Sequence, residues 1–272
     1  SEFEAAKTYV PKTGDWLESV WSGFKGPDQL ARIKDTGVPM EVLKEVGAAI
    51  TTLPPGLSPH KNVKKMYRNW QKALDTEQGV DWAMAEALAI GTLLREGNHV
   101  RLSGQDVERG TFTQRHAVIH DQKTGERYVP LSACSEPGKP ETQLTICNSA
   151  LSEYGTLGFE VGYSQENPNS LVIWEAQFGD FANCAQAVFD QFISAGEAKW
   201  LRQSGLVVAL PHGYDGQGPE HSSARIERFL QMSLEDPFEI APEALEPETQ
   251  QFFEGRHLGT QVQNTNWQVV YP

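Results

Sequence analysis

Cysteine is scarce in this chain: Cys134, Cys147 and Cys184 are the only three in 272 residues. None lies in a CxxC pair or at Cys/His ligand spacing. The sequence therefore indicates neither a zinc site nor a disulfide framework, and the thiols suit a reducing intracellular compartment. Long apolar runs are missing too. No window approaches the ~18 consecutive apolar residues of a membrane span, so none is expected. Basic charge is short: Lys and Arg number 23 against 36 Asp and Glu, a net charge of −13. A nucleic-acid surface needs a basic patch, so no nucleic-acid partner is expected. Small molecules or basic protein surfaces fit this charge better. The chain also lacks GxGxxG, Walker A, GxSxG and HExxH motifs, which withdraws support from nucleotide folds of those types and from zinc proteases. The opening SEFEAAKTYV has neither the basic-then-apolar character of a signal peptide nor the Arg-rich character of a transit peptide.

What the chain does contain is enough apolar material for a sizeable core: 39% hydrophobic and 10% aromatic residues. That length fits one large domain or one domain with an extension. Residues 1–79 read as a helical lead-in. The stretches GPDQLARIKDT, MEVLKEVGAAI and VKKMYRNWQKALDTEQ are amphipathic, and TTLPPGLSPHKN reads as an extended connector. From residue 80 the pattern changes. DWAMAEALAIGTLLREG reads as a helix capped by Asp81 and stopped at Gly97. HVRLSG, TQLTICNS, SLVIWEA, GLVVALP and NWQVVYP read as strands. Helices are expected at 149–163, in ANCAQAVFDQFISAG and in SARIERFLQM, where Ser222 or Ser223 is the expected cap. Apolar strands alternating with helices are the pattern of an α/β fold: a mostly parallel sheet with helices on both faces. Ligands in such folds bind at the carboxyl ends of the strands, in the loops. Residues 235–254 carry seven acids, three prolines and no Lys or Arg, and read as a solvated excursion.

Four stretches could carry chemistry. In NSALSEYGTLGFEVGY, Leu151, Gly155, Gly158 and Gly162 fall within about 60° on a helical wheel, a seam of small residues that lets another backbone approach. Opposite lie Glu153 and Glu160, the only charges in the helix. They form either a narrow solvated strip or a buried acid that holds a proton against a ligand nitrogen, with its pKa raised by burial. In RGTFTQRHAVIHDQ, His116 and His120 are four apart, a spacing that could hold a metal on a helix, but no third ligand is evident. Arg115 and His116 better suit an anionic substrate, as donors to a carboxylate. In PHGYDGQGPEHSSARIE, His212 and His221 flank a Gly-rich loop. In WEAQFGDFANCAQ, Phe178 and Phe181 bracket Gly179 and Asp180 at a strand end, where an aromatic could stack on a heteroaromatic ring or simply join the core.

The stretches RLSGQDVERGTFTQRHAVIHDQ, LSEYGTLGFEVGY, LVIWEAQFGDFANCAQAVFDQFISAGEAKW and LPHGYDGQGPEHSSARIERFLQM closely resemble the thiamine diphosphate-dependent dehydrogenase component of 2-oxoglutarate dehydrogenase complexes. The resemblance covers most of the chain and falls in the pyrimidine-binding domain, shared more distantly with transketolase. It places that domain at residues 80–272. It implies that Glu153, in LSEYG, is the acid that hydrogen-bonds N1′ of the aminopyrimidine, and that Phe181, with Phe178 close by, stacks on that ring. Gln105, in SGQD, falls where relatives keep a polar group near the cofactor. His116, in TQRHAV, matches a histidine of the 2-oxo acid pocket and a catalytic residue. His221, in GPEHSS, matches an active-site histidine, and Gln71 a pocket glutamine.

The resemblance implies decarboxylation of 2-oxoglutarate on thiamine diphosphate and transfer of the succinyl group to a lipoyl group, in the tricarboxylic acid cycle. The partners implied are a dihydrolipoyl succinyltransferase, a dihydrolipoyl dehydrogenase and a second copy of the full-length enzyme. A 2-oxoadipate dehydrogenase and a non-catalytic scaffold that keeps the fold are the alternatives. The family's diphosphate-binding half, with its GDG motif and Mg²⁺ ligands, has no counterpart here, and neither does its C-terminal domain. No metal ligand is therefore expected in this chain, and the chain by itself is expected to be inactive. The flavour of GFKGPDQLARIKDTGVP points to the mitochondrial matrix, with the bacterial cytoplasm as the alternative.

Overall fold

The computed structural model describes residues 2–10, 36–135, 143–200, 202–212, 218–232 and 269–270. The helix expected in GPDQLARIKDT and the acidic stretch 235–254 lie outside the described residues. Helix α1 (Glu2–Thr8) is short. Helices α2 (Met40–Thr51), α3 (Lys61–Thr76) and α4 (Trp82–Arg95) follow. Asp81 caps α4 as expected, accepting the Met84 amide at 2.8 Å, and its second oxygen accepts the Trp70 indole N–H at 3.1 Å. Gly97 ends the helix in the left-handed region at φ 83°.

Strand β1 (His99–Gly104) then enters the centre of the molecule. A small hairpin follows, β2 (Ile119–His120) and β3 (Arg127–Tyr128), and a 3₁₀ turn spans Pro130–Cys134. Asp121 ties this excursion to the connector after α2. Its carboxylate accepts the amides of Ser58, Lys123 and Thr124. Strand β4 (Leu144–Asn148) leads into α5 (Glu153–Glu166), and β5 (Ser170–Glu175) follows. Next come a 3₁₀ segment at Gly179–Ala185, the single turn α6 (Gln186–Val188), a π turn at Phe189–Ile193 and α7 (Gly196–Trp200). The last elements are β6 (Val207–Ala209), α8 (Ile226–Met232) and β7 (Val269–Val270).

The five long-range strands form one sheet in the order β4-β1-β5-β6-β7, and every pairing is parallel. Successive side chains of a strand point to opposite faces, and the core divides accordingly. Val100, Leu102 and Ile173 belong to the apolar cluster shared with Val46, Ile50, Val63, Tyr67 and Trp70 of α2 and α3. Val172, Trp174 and Val208 belong to a second cluster with Leu157 and Val161 of α5, Phe189 and Phe229. Both faces are thus covered, and β5 and β6 are the near-continuous apolar runs this predicts. By contrast β1 (HVRLSG) and β4 (LTICN) alternate, contrary to the expectation of apolar strands: one face of β1 carries Arg101, which pairs with Glu160.

Two expectations need correction. ANCAQAVFDQFISAG is not one α-helix. It winds from 3₁₀ through a single α turn into a π turn, with the Ser194 amide reaching back five residues to the Phe189 carbonyl at 2.9 Å. Phe189 is fully buried and packs edge-on against both Trp174 and Phe229, so the wider turn keeps that aromatic in the core while the chain reverses. Neither Ser222 nor Ser223 caps α8. Arg225, at φ 58°, precedes the helix, and the Ser223 hydroxyl accepts the Arg225 amide inside the preceding turn.

Candidate functional site

The carboxyl ends of β1, β4 and β5 converge on Glu153. The β4–α5 connection brings Ser152 to the cap of α5, where its hydroxyl accepts the Gly155 amide at 3.0 Å. Glu153 is therefore the first residue of the helix, and Leu151 lies outside it. The orientation of α5 sets which side of the wheel meets the core of this chain. Gly155, Gly158 and Gly162 are exposed, and a Cβ added at Gly162 meets no atom within 4 Å. The inward face is the one that carries both acids: Glu153 is 5% exposed and Glu160 1%. Neither acid lies on a solvated strip.

Glu160 is neutralised inside the chain. Arg101, from β1, donates to it in a bidentate fork, Nε to Oε2 at 2.7 Å and Nη2 to Oε1 at 2.8 Å. Glu153 receives only neutral donors. Its Oε1 accepts the Gln105 side-chain amide at 3.0 Å and the Gln177 backbone N–H at 3.1 Å. Its Oε2 is buried and has no hydrogen-bond partner. Burial pushes the Glu153 carboxyl above its ordinary value, and the Gln177 and Gln105 donors pull it only partway back. A buried carboxyl oxygen without a partner is costly, so it points to a donor or acceptor supplied from outside the chain.

The aromatic residues sit on the segment that follows Gln177. Phe178 meets Phe181 edge-on at 6.0 Å and Phe112 edge-on at 5.3 Å, and stacks on His221 at 4.0 Å between centroids. Gly179 allows this segment to lie against the loop after β6. A Cβ there would come within 2.8 Å of the Pro211 carbonyl oxygen and 2.7 Å of Ala224 Cβ. Asp180 is buried beneath the cluster, accepting the Ser222 amide and facing His221 Nδ1. His212, by contrast, is exposed, and its Nδ1 accepts the Ala224 amide. Gln177 adds a second tie, its side-chain amide donating to Asp106 at 3.4 Å.

Arg115 does not present itself to a substrate, contrary to the sequence reading. It is buried between two glutamates, donating through Nε to Glu86 of α4 and through Nη1 to Glu175 at the end of β5, the latter at 2.9 Å. Burial works against its charge, but the hydrogen bonds to Glu175 and Glu86 outweigh it and its pKa is raised. Its neighbour His116 is half-buried and holds a left-handed backbone at φ 45°, unusual for a non-glycine residue. Burial, with the nearby Arg109 and His60, holds its imidazole below the ordinary value. The Tyr67 hydroxyl donates to the His116 carbonyl at 3.4 Å. Gln71, one turn further along α3, is exposed and donates to the Thr51 carbonyl. His120 is exposed on β2 and does not share a helix with His116. Among the described residues, no group of three or more His, Cys, Asp or Glu could hold a metal.

The structure therefore brings Glu153 and Gln105 together, and separately Phe178, Phe181 and His221, with Gln177 joining the two groups. Sequence reasoning did not single out Phe112, Gln177, Asp180 or Glu175. Gln177 acts through its backbone, which no side-chain pattern reveals. Asp180 was legible as an acid between two aromatics.

Comparison with known proteins extends this picture. The family model described as Transketolase, pyrimidine binding domain matches residues 78–272. The 2-oxoglutarate dehydrogenase, mitochondrial, of Saccharomyces cerevisiae is 52% identical over 99% of this chain and 26% of its own length. The protein of the same name from Schizosaccharomyces pombe is 51% identical over 100% of this chain and 26% of its own. The 2-oxoglutarate dehydrogenase E1 component of Brucella anthropi is 52% identical over 89% of this chain and 24% of its own. The chain thus spans about a quarter of the length of these relatives.

Proposed function

Because the chain belongs to the transketolase pyrimidine-binding-domain family, we propose that it forms the pyrimidine half of a thiamine diphosphate site in a 2-oxoglutarate dehydrogenase. The observation that carries this reading is the unpartnered, buried Oε2 of Glu153, whose other oxygen accepts the amide of Gln177, the residue that leads into the aromatic cluster. A planar heteroaromatic ring with a basic nitrogen satisfies both: the acid supplies the proton and the Phe side chains the apolar surface. Thiamine diphosphate, when bound, supplies the electron sink for decarboxylating a 2-oxo acid.

This chain's residues do the rest of the work assigned here. Glu153 holds a proton at Oε2, and its raised pKa keeps that proton available nearer neutrality. Gln105 and the Gln177 amide fix the other oxygen, so the carboxyl cannot rotate away. Phe181 and Phe178 hold the ring face and exclude water. His116 binds the substrate and moves a proton to or from it, and a neutral imidazole suits that exchange. His221 and Gln71 complete the substrate assignments. Mg²⁺ and its diphosphate ligands fall to a part of the enzyme outside this chain.

The same reading divides the chain into a helical segment, residues 1–79, and the pyrimidine-binding domain, residues 80–272. It assigns a dihydrolipoyl succinyltransferase and a dihydrolipoyl dehydrogenase as partners, a homodimer as the full-length form and the mitochondrial matrix as its location. Support comes from relatives of about 51–52% identity that carry the mitochondrial name.

Adding thiamine diphosphate to this chain, mixed with the diphosphate-binding part of a relative, tests the reading. Binding and turnover of 2-oxoglutarate are expected. Turnover of 2-oxoadipate instead would change the substrate, and no binding at all would remove the function. His116→Ala is expected to raise KM for 2-oxoglutarate and lower kcat in the complete enzyme, and unchanged kinetics would remove His116 from the pocket.

A further inference from the structure

His221 and Asp180 meet where the loop after β5 packs on the loop after β6. Nδ1 of His221 lies 3.3 Å from Oδ1 of Asp180. The other oxygen of Asp180 accepts the Ser222 amide at 3.2 Å. Both side chains are largely withdrawn from water, at 11% and 8% exposure. The imidazole plane is held separately: it stacks on Phe178 with an interplanar angle of 28° and leans on Phe181 at 5.4 Å.

An ionised carboxylate has lone pairs and no proton, so the hydrogen between these two groups belongs to Nδ1. A neutral imidazole carries one ring proton, and Nε2 then keeps its lone pair. Among the described residues Nε2 makes no hydrogen bond. The nearest carboxylate is Glu220, 3.9 Å away on a side chain that is 67% exposed. Arg225 is the other charge close by, and it donates to the backbone carbonyl of Asp180 at 3.4 Å.

We propose that Asp180 is a positioning residue that holds His221 in the Nδ1–H tautomer and leaves Nε2 as the proton-accepting nitrogen of the aromatic cluster. The task of Nε2 toward a bound substrate rests on the function proposed above, whereas the tautomer and its cause do not. A purely structural role for Asp180, holding the Ser222 amide, predicts no link to the imidazole.

Asp180→Asn separates these roles. The amide oxygen of Asn can still accept the Ser222 N–H. Its NH₂ group then faces Nδ1, which must become the acceptor, and the ring proton moves to Nε2. In the 272-residue chain with ¹⁵N-labelled histidine, the wild-type His221 is expected to show a protonated Nδ1 and a lone-pair Nε2. The variant is expected to show the reverse, with the Ser222 amide still protected from exchange. A wild-type His221 protonated at Nε2 overturns the proposal without any variant, and so does an Asp180→Asn spectrum identical to wild type. In the full-length enzyme, Asp180→Asn is expected to lower kcat about tenfold or more with little change in KM, within the range of lost proton-transfer catalysis. Adding it to His221→Asn should cost nothing further, and additive losses count against the proposal. If thiamine diphosphate fails to bind while the tautomer switches, the functional reading falls and this one stands.

Discussion

Glu153 and Glu160 sit on one helix, two turns apart, and both are buried, yet they have opposite characters. Glu160 is closed. Arg101 meets it with three hydrogen bonds and packs its guanidinium over Phe159 and Tyr163, at 5.1 and 4.9 Å. Glu153 is open, with two neutral donors on one oxygen and none on the other. The lesson is that burial alone does not mark a functional acid. A carboxylate whose charge and lone pairs are answered inside the chain is structural. One that is half-answered is waiting for something else.

The sharpest way to break this comparison is to neutralise the open acid. Glu153→Gln in the complete enzyme is expected to lower turnover by at least about 100-fold. Near-normal steady-state turnover would end its catalytic assignment. The same variant has a signature in stability. The folded-state pKa of Glu153 is raised above its ordinary 4.5, so its contribution to stability is fully present below 4.5 and is lost as pH rises through the folded value. Thermal melts against pH should lose that downward slope in Glu153→Gln.

Opening the closed acid should damage the fold instead. Glu160→Ala leaves Arg101 largely buried without its partner and is expected to cost about 3 kcal/mol of stability, read from denaturant midpoints. Cofactor affinity per folded molecule should be unchanged, and a loss confined to affinity would mean that the two acids are not distinct in kind. The smallest effect belongs to Gln105→Leu. It removes a donor that lowers the Glu153 pKa, so the carboxyl should titrate at higher pH by ¹³C NMR, with turnover only modestly reduced. An unmoved or lowered pKa would mean that Gln105 does not tune the acid.

Much of the sheet was readable from the chain because local signals agreed. The Asp81 cap, the Gly97 stop, the alternating segments at 99–104 and 144–148 and the apolar run at 170–175 each carry their own meaning. The direction in which α5 faces was not readable. A helical wheel ranks sides by hydrophobicity, and it cannot know that a basic residue 59 positions away, Arg101, will answer Glu160. Arg115 was misread for the same reason, since Glu86 and Glu175 are distant in sequence and adjacent only once β5 and α4 are packed. Glu153 was identified through the resemblance of LSEYG, and the wheel alone left it between two readings. Its environment, an oxygen held twice on one side and free on the other, emerges only when β1, β4 and β5 end together.

Gly104 gives that environment its dimensions. It ends β1 directly beside Glu175 of β5, and a Cβ at this position would stand 2.2 Å from the Glu175 carbonyl oxygen. The two donors of Glu153 follow closely along the chain, Gln105 one residue beyond Gly104 and Gln177 two residues beyond Glu175. The glycine thus works as a spacer of zero thickness between two jaws. A single methyl group there is a wedge: it pries both jaws from the carboxyl at once, and the acid loses its grip on orientation although no functional group has been touched.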